Sequence, residues 1–468
     1  MNKKKVKLIS LQMVIVLLLI MILMLIHINI NYVTENTLFL ICWISFLSFV
    51  IQIRLLKTIL GTYINPVVLF SIFLYMFSSG QVVLYAFSVD IGDFNIFNRL
   101  ENDVLYHGIV YVMLAYAIYQ VGVLLAIESK NVYIEFTTKT QKEDNYPVFL
   151  SGLIFFTIGF FPYLINILNS LVVVLTSGYS AYYRDGVRLN NSFIGLGYYI
   201  FTGLIFIVVG GQKKYKKWAV YFIILLSVLK LMSGDRGDAI VFIFTAYMLY
   251  NYFIKKSNPS ILKTTLVLIL SMSIVPIIGA LRHSATNQAT PDIWTIIHEN
   301  NIVISTFSNL GGTFWPLGKI IEIFPMYHEY LWGGTYMISI LLLIPSFLRI
   351  GYLSEVDKIY SSPAGWLMEY LNMTYGPGFT PFAESYMNFG WVGILFMGAF
   401  GFLVSKTLCI KVKNNKDVPL MLGLSILSFM FFALATRSSF NYIIAYFTRY
   451  VLIPFIIIKL IETRMKKR

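Results

Sequence analysis

The sequence predicts an all-helical protein that crosses a membrane about twelve times, with short loops and one long external loop. Three observations predict it. The chain is 58% hydrophobic and 12% charged, about half the charge of a soluble domain. Apolar runs of about 18 to 25 residues recur along its whole length, as hydrocarbon-crossing helices require. Basic residues fall in every alternate loop, which sets an orientation. These features read as one integral membrane domain over residues 1–468.

The spans follow in order. The first, 8–28, comes after Lys3, Lys4, Lys5 and Lys7; it is long and no small-residue cleavage site follows, so it reads as an uncleaved anchor. Next come 37–54, 63–87, 105–127, 149–171, 194–211, 218–233, 237–254 and 260–281. The last three are 386–406, 418–436 and 442–461. With the N-terminus inside, the inner loops carry Arg54 and Lys57, Lys130 to Lys142, Lys213 to Lys217, Lys255-Lys256, Lys406 to Lys416, and Arg464 to Arg468. Both termini are then expected in the cytoplasm. The apolar segment 338–350 is too short to span and holds Pro345 and Arg349. It reads as an interfacial or re-entrant piece of the long external loop, 282–385.

The net charge is +14. Because most lysines sit in loops between spans, that charge is a topology signal and not a nucleic-acid footprint. Cys42 and Cys409 both lie in apolar segments, so no disulfide framework is expected.

Inner basic residues are nearly all Lys, whereas outer ones are mostly Arg: Arg99, Arg184, Arg188, Arg236, Arg282, Arg349 and Arg437. Lys and Arg serve topology equally, so the sorting has another cause. Arg presents a planar fork of donors suited to phosphate or carboxylate. Outer carboxylates such as Asp90, Asp185 and Asp238 are alternative partners for these arginines.

Four outward clusters can carry chemistry. In SGDRGD (233–238), Gly234 and Gly237 allow a tight turn, Asp235 or Asp238 can cap the next helix, and Arg236 faces outward. A capped turn with a local Asp–Arg pair is the structural alternative. In GYSAYYRDGVRLN (178–190), Tyr182 and Tyr183 suit sugar faces, and Arg184 and Arg188 suit phosphates; an aromatic interfacial loop would look the same. Arg282 and His283 emerge together where the ninth span ends, and His283 can carry a proton or simply sit at the interface. Glu384, in TPFAESYMNFGWVGILFMGAFG (380–401), lies where the long loop re-enters the membrane. A carboxylate at that depth is costly unless paired or functional. Arg236, Arg282 and Arg437 are its candidate partners, and Gly390, Gly393, Gly398 and Gly401 allow close helix packing.

No metal-binding motif, serine-hydrolase elbow or phosphate loop is present. His298-Glu299 and His328-Glu329 lack zinc-ligand spacing. An outward, metal-free cavity rich in Arg and aromatics under a large loop suits a lipid-linked anionic glycan.

SGDRGDAIVF, GYSAYYRDG, GGTYM with IPSFL, and TPFAESYMNFGWVGILFMGAFG resemble segments of bacterial O-antigen polysaccharide polymerases of the Wzy type. The resemblance covers about 170–450. It implies polymerisation of repeat units carried on undecaprenyl pyrophosphate at the outer face of the cytoplasmic membrane. It also implies a bundle similar to O-antigen ligases and GT-C glycosyltransferases, no cofactor, membrane lipid as surroundings, and a polysaccharide chain-length regulator as partner. Some relatives carry Arg followed eleven residues later by Gly in external loops. Arg184 and Gly195 match one such pair, and a second is absent. On this reading Arg236 and Arg282 hold the donor pyrophosphate in place of a metal, and Glu384, or else His283, takes the acceptor proton. Arg184, Arg188, Tyr182, Tyr183, Asp235 and Arg437 contact substrate. A lipid-linked-oligosaccharide flippase or an O-antigen ligase is the alternative.

Overall fold

The computed structural model describes residues 3–29, 32–91, 95–127, 145–177, 195–233, 236–257, 302–344, 356–373, 376, 378–409 and 417–466. These residues are helical or irregular, with no strand among them. In chain order the helices begin with α1 (Lys3–Asn29), α2 (Glu35–Leu60), α3 (Pro66–Ala86) and α4 (Asn102–Ala126). Then come α5 (Tyr146–Ser177), α6 (Tyr199–Gly210), α7 (Lys213–Ser233) and α8 (Arg236–Leu249). The long connection carries α9 (Ile302–Gly311), α10 (Phe314–Ile323), α11 (Gly334–Leu341), α12 (Lys358–Ser361) and α13 (Pro363–Tyr370). The last are α14 (Pro381–Phe389), α15 (Gly393–Leu408), α16 (Val418–Ala435), α17 (Phe440–Tyr446) and α18 (Ile453–Lys466).

Nine helices among the described residues are long and apolar enough to cross a membrane. They are Lys5–Ile28, Glu35–Leu60, Pro66–Ala86, Asn102–Ala126, Tyr146–Val174, Gly237–Lys255, Pro381–Leu408, Val418–Ala435 and Phe440–Met465. The chain is therefore an all-helical, multi-pass membrane protein. Two further expected spans are also helical. Expected span 194–211 is the shorter apolar helix Gly195–Gly210, and 218–233 lies within α7, which opens on Lys213, Lys214, Lys216 and Lys217. Expected span 260–281 lies outside the described residues.

The chain folds as two compact units. The first comprises Met1–Ser129, Ile304–Cys409 and Ala435–Ala445. Its helix starts are written in the sequence. Thr34 caps α2 by accepting the Thr37 N–H, and Asn65 caps α3 just before Pro66. Thr380 caps α14, again just before a proline, Pro381. The buried Gln12 amide of α1 donates to the Gln52 side chain and to the Ala117 carbonyl, tying α1 to α2 and α4.

Close approach of α4 and α15 holds this unit together. Tyr111 packs at Gly393, Tyr119 at Gly401, and Gly122 at Gly398 and Phe402, so the two helices run parallel. A Cβ on Gly122 would lie 1.9 Å from the Gly398 carbonyl oxygen. Glycine lets the two backbones touch where neither hydrocarbon nor water could drive the contact. Gly390 admits the Tyr330 ring, which a Cβ would meet at 2.6 Å, and has a second role. It takes φ +55 and ends α14. Gly122→Val should cost about 1–3 kcal/mol or more by overpacking, read as lost monodisperse protein on size-exclusion in detergent.

The second unit comprises Lys130–Val303, Ile410–Leu434 and Tyr446–Arg468. The antiparallel pair α5 and α6 uses the same device: Gly152 meets Ile207, Gly159 meets Ile200, and Gly203 meets Phe156. In this unit α7 ends at Ser233 and α8 begins at Arg236, and the two residues between them lie outside the described residues. Asp238, in the first turn of α8, lies 3.6 Å from the Nζ of the largely buried Lys230 in α7. Asp238 thus has Lys230 of the preceding helix as an ion-pair partner, and the Arg236 side chain of the expected local pair lies outside the described residues. Cys42 and Cys409 are buried free thiols.

Candidate functional site

The site grows out of Glu384, one turn into α14 behind the Thr380 cap. Its side chain is fully buried. Burying a carboxylate is expensive unless its oxygens accept hydrogen bonds. Both do. The Thr335 hydroxyl of α11 donates to Oε1 at 2.7 Å, and the Phe440 N–H donates to Oε2 at 2.6 Å. Phe440 opens α17, so Glu384 occupies a helix N-terminus, where a negative charge is favoured. It supplies there the acceptor that Ser439, with its own hydroxyl unpartnered, does not.

Further hydrogen bonds fix this arrangement. Asn388, one turn after Glu384, donates its amide to the Thr335 hydroxyl and to the Glu384 carbonyl, each at 2.8 Å. The N–H groups of Leu331 and Trp332 donate to the Met387 and Asn388 carbonyls at 3.2 and 2.9 Å, capping the end of α14. Ser385 and the Tyr111 hydroxyl of α4 lie 2.7 Å apart. Three buried polar atoms adjoin the carboxylate without a hydrogen-bond partner: Asn388 Oδ1, the Tyr336 hydroxyl and the Ser439 hydroxyl. Tyr336 is within electrostatic reach of the carboxylate.

The expected pairing of Glu384 with Arg437 does not form. Neutral donors hold the carboxylate, and no ion pair to it exists among the described residues. A guanidinium would need room beside Glu384, and Thr335 and the start of α17 take that room. Arg437 nevertheless stands in the turn that leads to Phe440. It is exposed, with its guanidinium 5.7 Å from the Phe77 ring centroid. Its carbonyl accepts the Phe379 N–H at 3.0 Å, just before the Thr380 cap. Thr313 donates to the Phe77 carbonyl and braces the same corner. The first unit therefore presents a buried carboxylate and an exposed guanidinium on adjoining segments.

The remaining expected site residues fall elsewhere. Arg236 begins α8 in the second unit, and its side chain is outside the described residues. Asp235, Tyr182, Tyr183, Arg184, Arg188, Arg282 and His283 also lie outside the described residues. His328 packs against the rings of Trp366 and Tyr370, 5.3 and 5.4 Å between centroids.

Sequence reasoning assigned no role to Thr335, Asn388, Tyr336 or the Phe440 N–H. A signal existed for two of them. Thr335 belongs to GGTYM, and Asn388 follows Glu384 by four residues on the same helix face. Lys230 was also missed, although a lysine near the end of an apolar span is a signal in itself.

No curated protein and no solved structure matches the chain. The family model described as O-antigen polysaccharide polymerase Wzy matches residues 9–468. That match takes in the multi-pass bundle and every residue around Glu384. The chain therefore belongs to the O-antigen polysaccharide polymerase Wzy family, and its function is polymerisation of O-antigen repeat units.

Proposed function

We propose that this polymerisation is a metal-independent glycosyl transfer between undecaprenyl-pyrophosphate-linked units at the outer face of the bacterial cytoplasmic membrane, with Glu384 as base. The observation that carries the reading is a fully buried carboxylate, held by neutral donors and bordered by unpartnered polar groups, with an exposed arginine three residues before Phe440. The acceptor sugar's hydroxyl oxygen bonds to the anomeric carbon of the donor chain. The bond from that carbon to the diphosphate breaks, and the hydroxyl proton passes to Glu384. The lipid diphosphate leaves with its growing charge held by Arg437, whose fork of donors fits it. Glu384 is enclosed, so substrate reaches it when the segments around it part.

Twelve spans with both termini cytoplasmic complete the proposal, in a bundle of the GT-C or O-antigen-ligase kind with 282–385 outside. Support comes from the parallel run of α4 and α15, since the alternating basic loops send both helices from outside to inside. Arg236, Arg282, Arg184 and Arg188 are proposed, on sequence grounds, as further phosphate contacts. Tyr182, Tyr183, Asp235 and His283 are proposed as sugar or proton contacts, and a chain-length regulator as a partner.

The test is a polymerase-deficient strain carrying Ala in turn at Arg236, Arg282 and Glu384. Each variant should accumulate single repeat units on the outer face, scored per amount of folded protein. Long-chain polysaccharide from all three would sink the assignment. Chelation of divalent ions should leave the reconstituted reaction running.

A further inference from the structure

Helix α11 is built inside out. Its inward residues are Thr335, Tyr336 and Ser339, all buried. Its outward residues are apolar: Met337 is 69% and Ile340 58% exposed, with Leu341 beside them. No residue from Leu331 to Ile344 is charged. Water would penalise such a face, at about 25 cal/mol for each Å² of apolar surface left wet. A contiguous apolar face of this kind marks contact with lipid or an apolar ligand. Eight residues of helix extend about 12 Å, well short of a bilayer, so α11 does not span.

Its position in the first unit is definite. The Tyr336 ring stacks on Phe396 of the Pro381–Leu408 span at 4.1 Å and meets Phe440 edge-on at 5.0 Å. The outward face of α11 therefore continues the apolar surface of that span, where Leu395 is 67% exposed. Glu384 is one residue layer inward, through Thr335. Arg437 is three residues along the chain from Phe440. The apolar face thus adjoins the carboxylate through Thr335, and the guanidinium belongs to the segment that leads into Phe440.

We infer that the outward face of α11, around Met337 and Ile340, docks the isoprenoid chain of the lipid-linked substrate. An amphiphile made of a branched hydrocarbon chain, a diphosphate and a sugar offers one partner to each of these three neighbouring features. Met337 suits it, because a flexible thioether side chain moulds to an irregular branched chain. Bulk acyl chains cover the spans, but they carry no diphosphate for Arg437. The inference rests on the reading of Glu384 and Arg437 as the reacting end of the site.

The test places p-benzoylphenylalanine at Met337, at Ile340, or at the exposed Leu17 of α1 in the full-length protein. Proteoliposomes are irradiated with tritiated undecaprenyl diphosphate. Labelling at Met337 and Ile340 should exceed that at Leu17 by about tenfold and fall when unlabelled undecaprenyl diphosphate competes. Equal labelling at all three positions, or phospholipid adducts alone at Met337 and Ile340, would overturn the dock. Glu384→Gln in the same background separates the two readings. Lost polymer with retained labelling supports both. Retained polymer with retained labelling removes Glu384 as base and leaves the dock standing. Variants that no longer label while still making full-length polymer overturn the dock.

Discussion

Glu384→Gln should collapse the polysaccharide ladder to single repeat units while the protein stays at its normal level. General-base catalysis contributes about a hundred- to ten-thousand-fold, and that is the expected loss in rate. Glutamine is the milder test because it keeps the Phe440 bond and a Thr335 contact, and only the Thr335 proton loses its acceptor. Its carbonyl can still accept the Phe440 N–H, and its amide can donate to the Thr335 oxygen, which now donates to Glu384. Glu384→Ala is a different experiment. It leaves the Phe440 N–H and the Thr335 hydroxyl proton without an acceptor in a buried site, at about 1–3 kcal/mol for each donor. Alanine should therefore lose polymer partly through lost protein, and glutamine mainly through chemistry. Long-chain product at wild-type rate from the glutamine variant would reduce Glu384 to a helix cap.

Arg437→Ala should lower polymerisation by about a hundred- to thousandfold, the usual effect of removing one preorganised donor to a developing negative charge. Arg437 is exposed, and among the described residues its guanidinium meets the Phe77 face while its carbonyl keeps the Phe379 bond in any variant, so removal of the side chain should leave the fold intact. Lysine should rescue poorly, because an ammonium cannot make the paired contacts of a guanidinium. Polymer length in membranes, read at matched protein level, checks both variants. Full rescue by lysine would mean that only a point charge is needed at that position.

The spans were legible because hydrocarbon imposes a simple rule: runs of apolar residues long enough to cross it, separated by sorted basic loops. The nine long apolar helices follow that rule. The caps at Thr34, Asn65 and Thr380 were equally local, each a side chain acting within one turn. Glu384 stood out because a carboxylate at membrane depth needs an explanation.

Its partners did not stand out. Sequence reasoning sought a countercharge and named arginines, whereas the chain uses a threonine 49 residues earlier and a backbone N–H 56 residues later. Neutral donors leave no mark in charge pattern, and a main-chain donor is carried by every residue except proline. Asp238 shows the same limit. Arg236, two residues before it, drew attention, and Lys230, an ion-pair partner of Asp238, lies on the preceding helix. The inverted polarity of α11 was hidden for another reason. The segment 338–350 shows only that it is apolar and short, and the inward threonine and serine become meaningful once Tyr336 is seen stacked on Phe396.

The most direct test measures two quantities on one preparation of reconstituted protein: the rate of joining lipid-linked repeat units and the fraction of folded chain. Wild type and Glu384→Gln should show the same folded fraction, while the variant's rate falls at least about a hundredfold. A rate that, once divided by folded protein, stays within about threefold of wild type would show that the buried carboxylate supports the helix start and takes no proton.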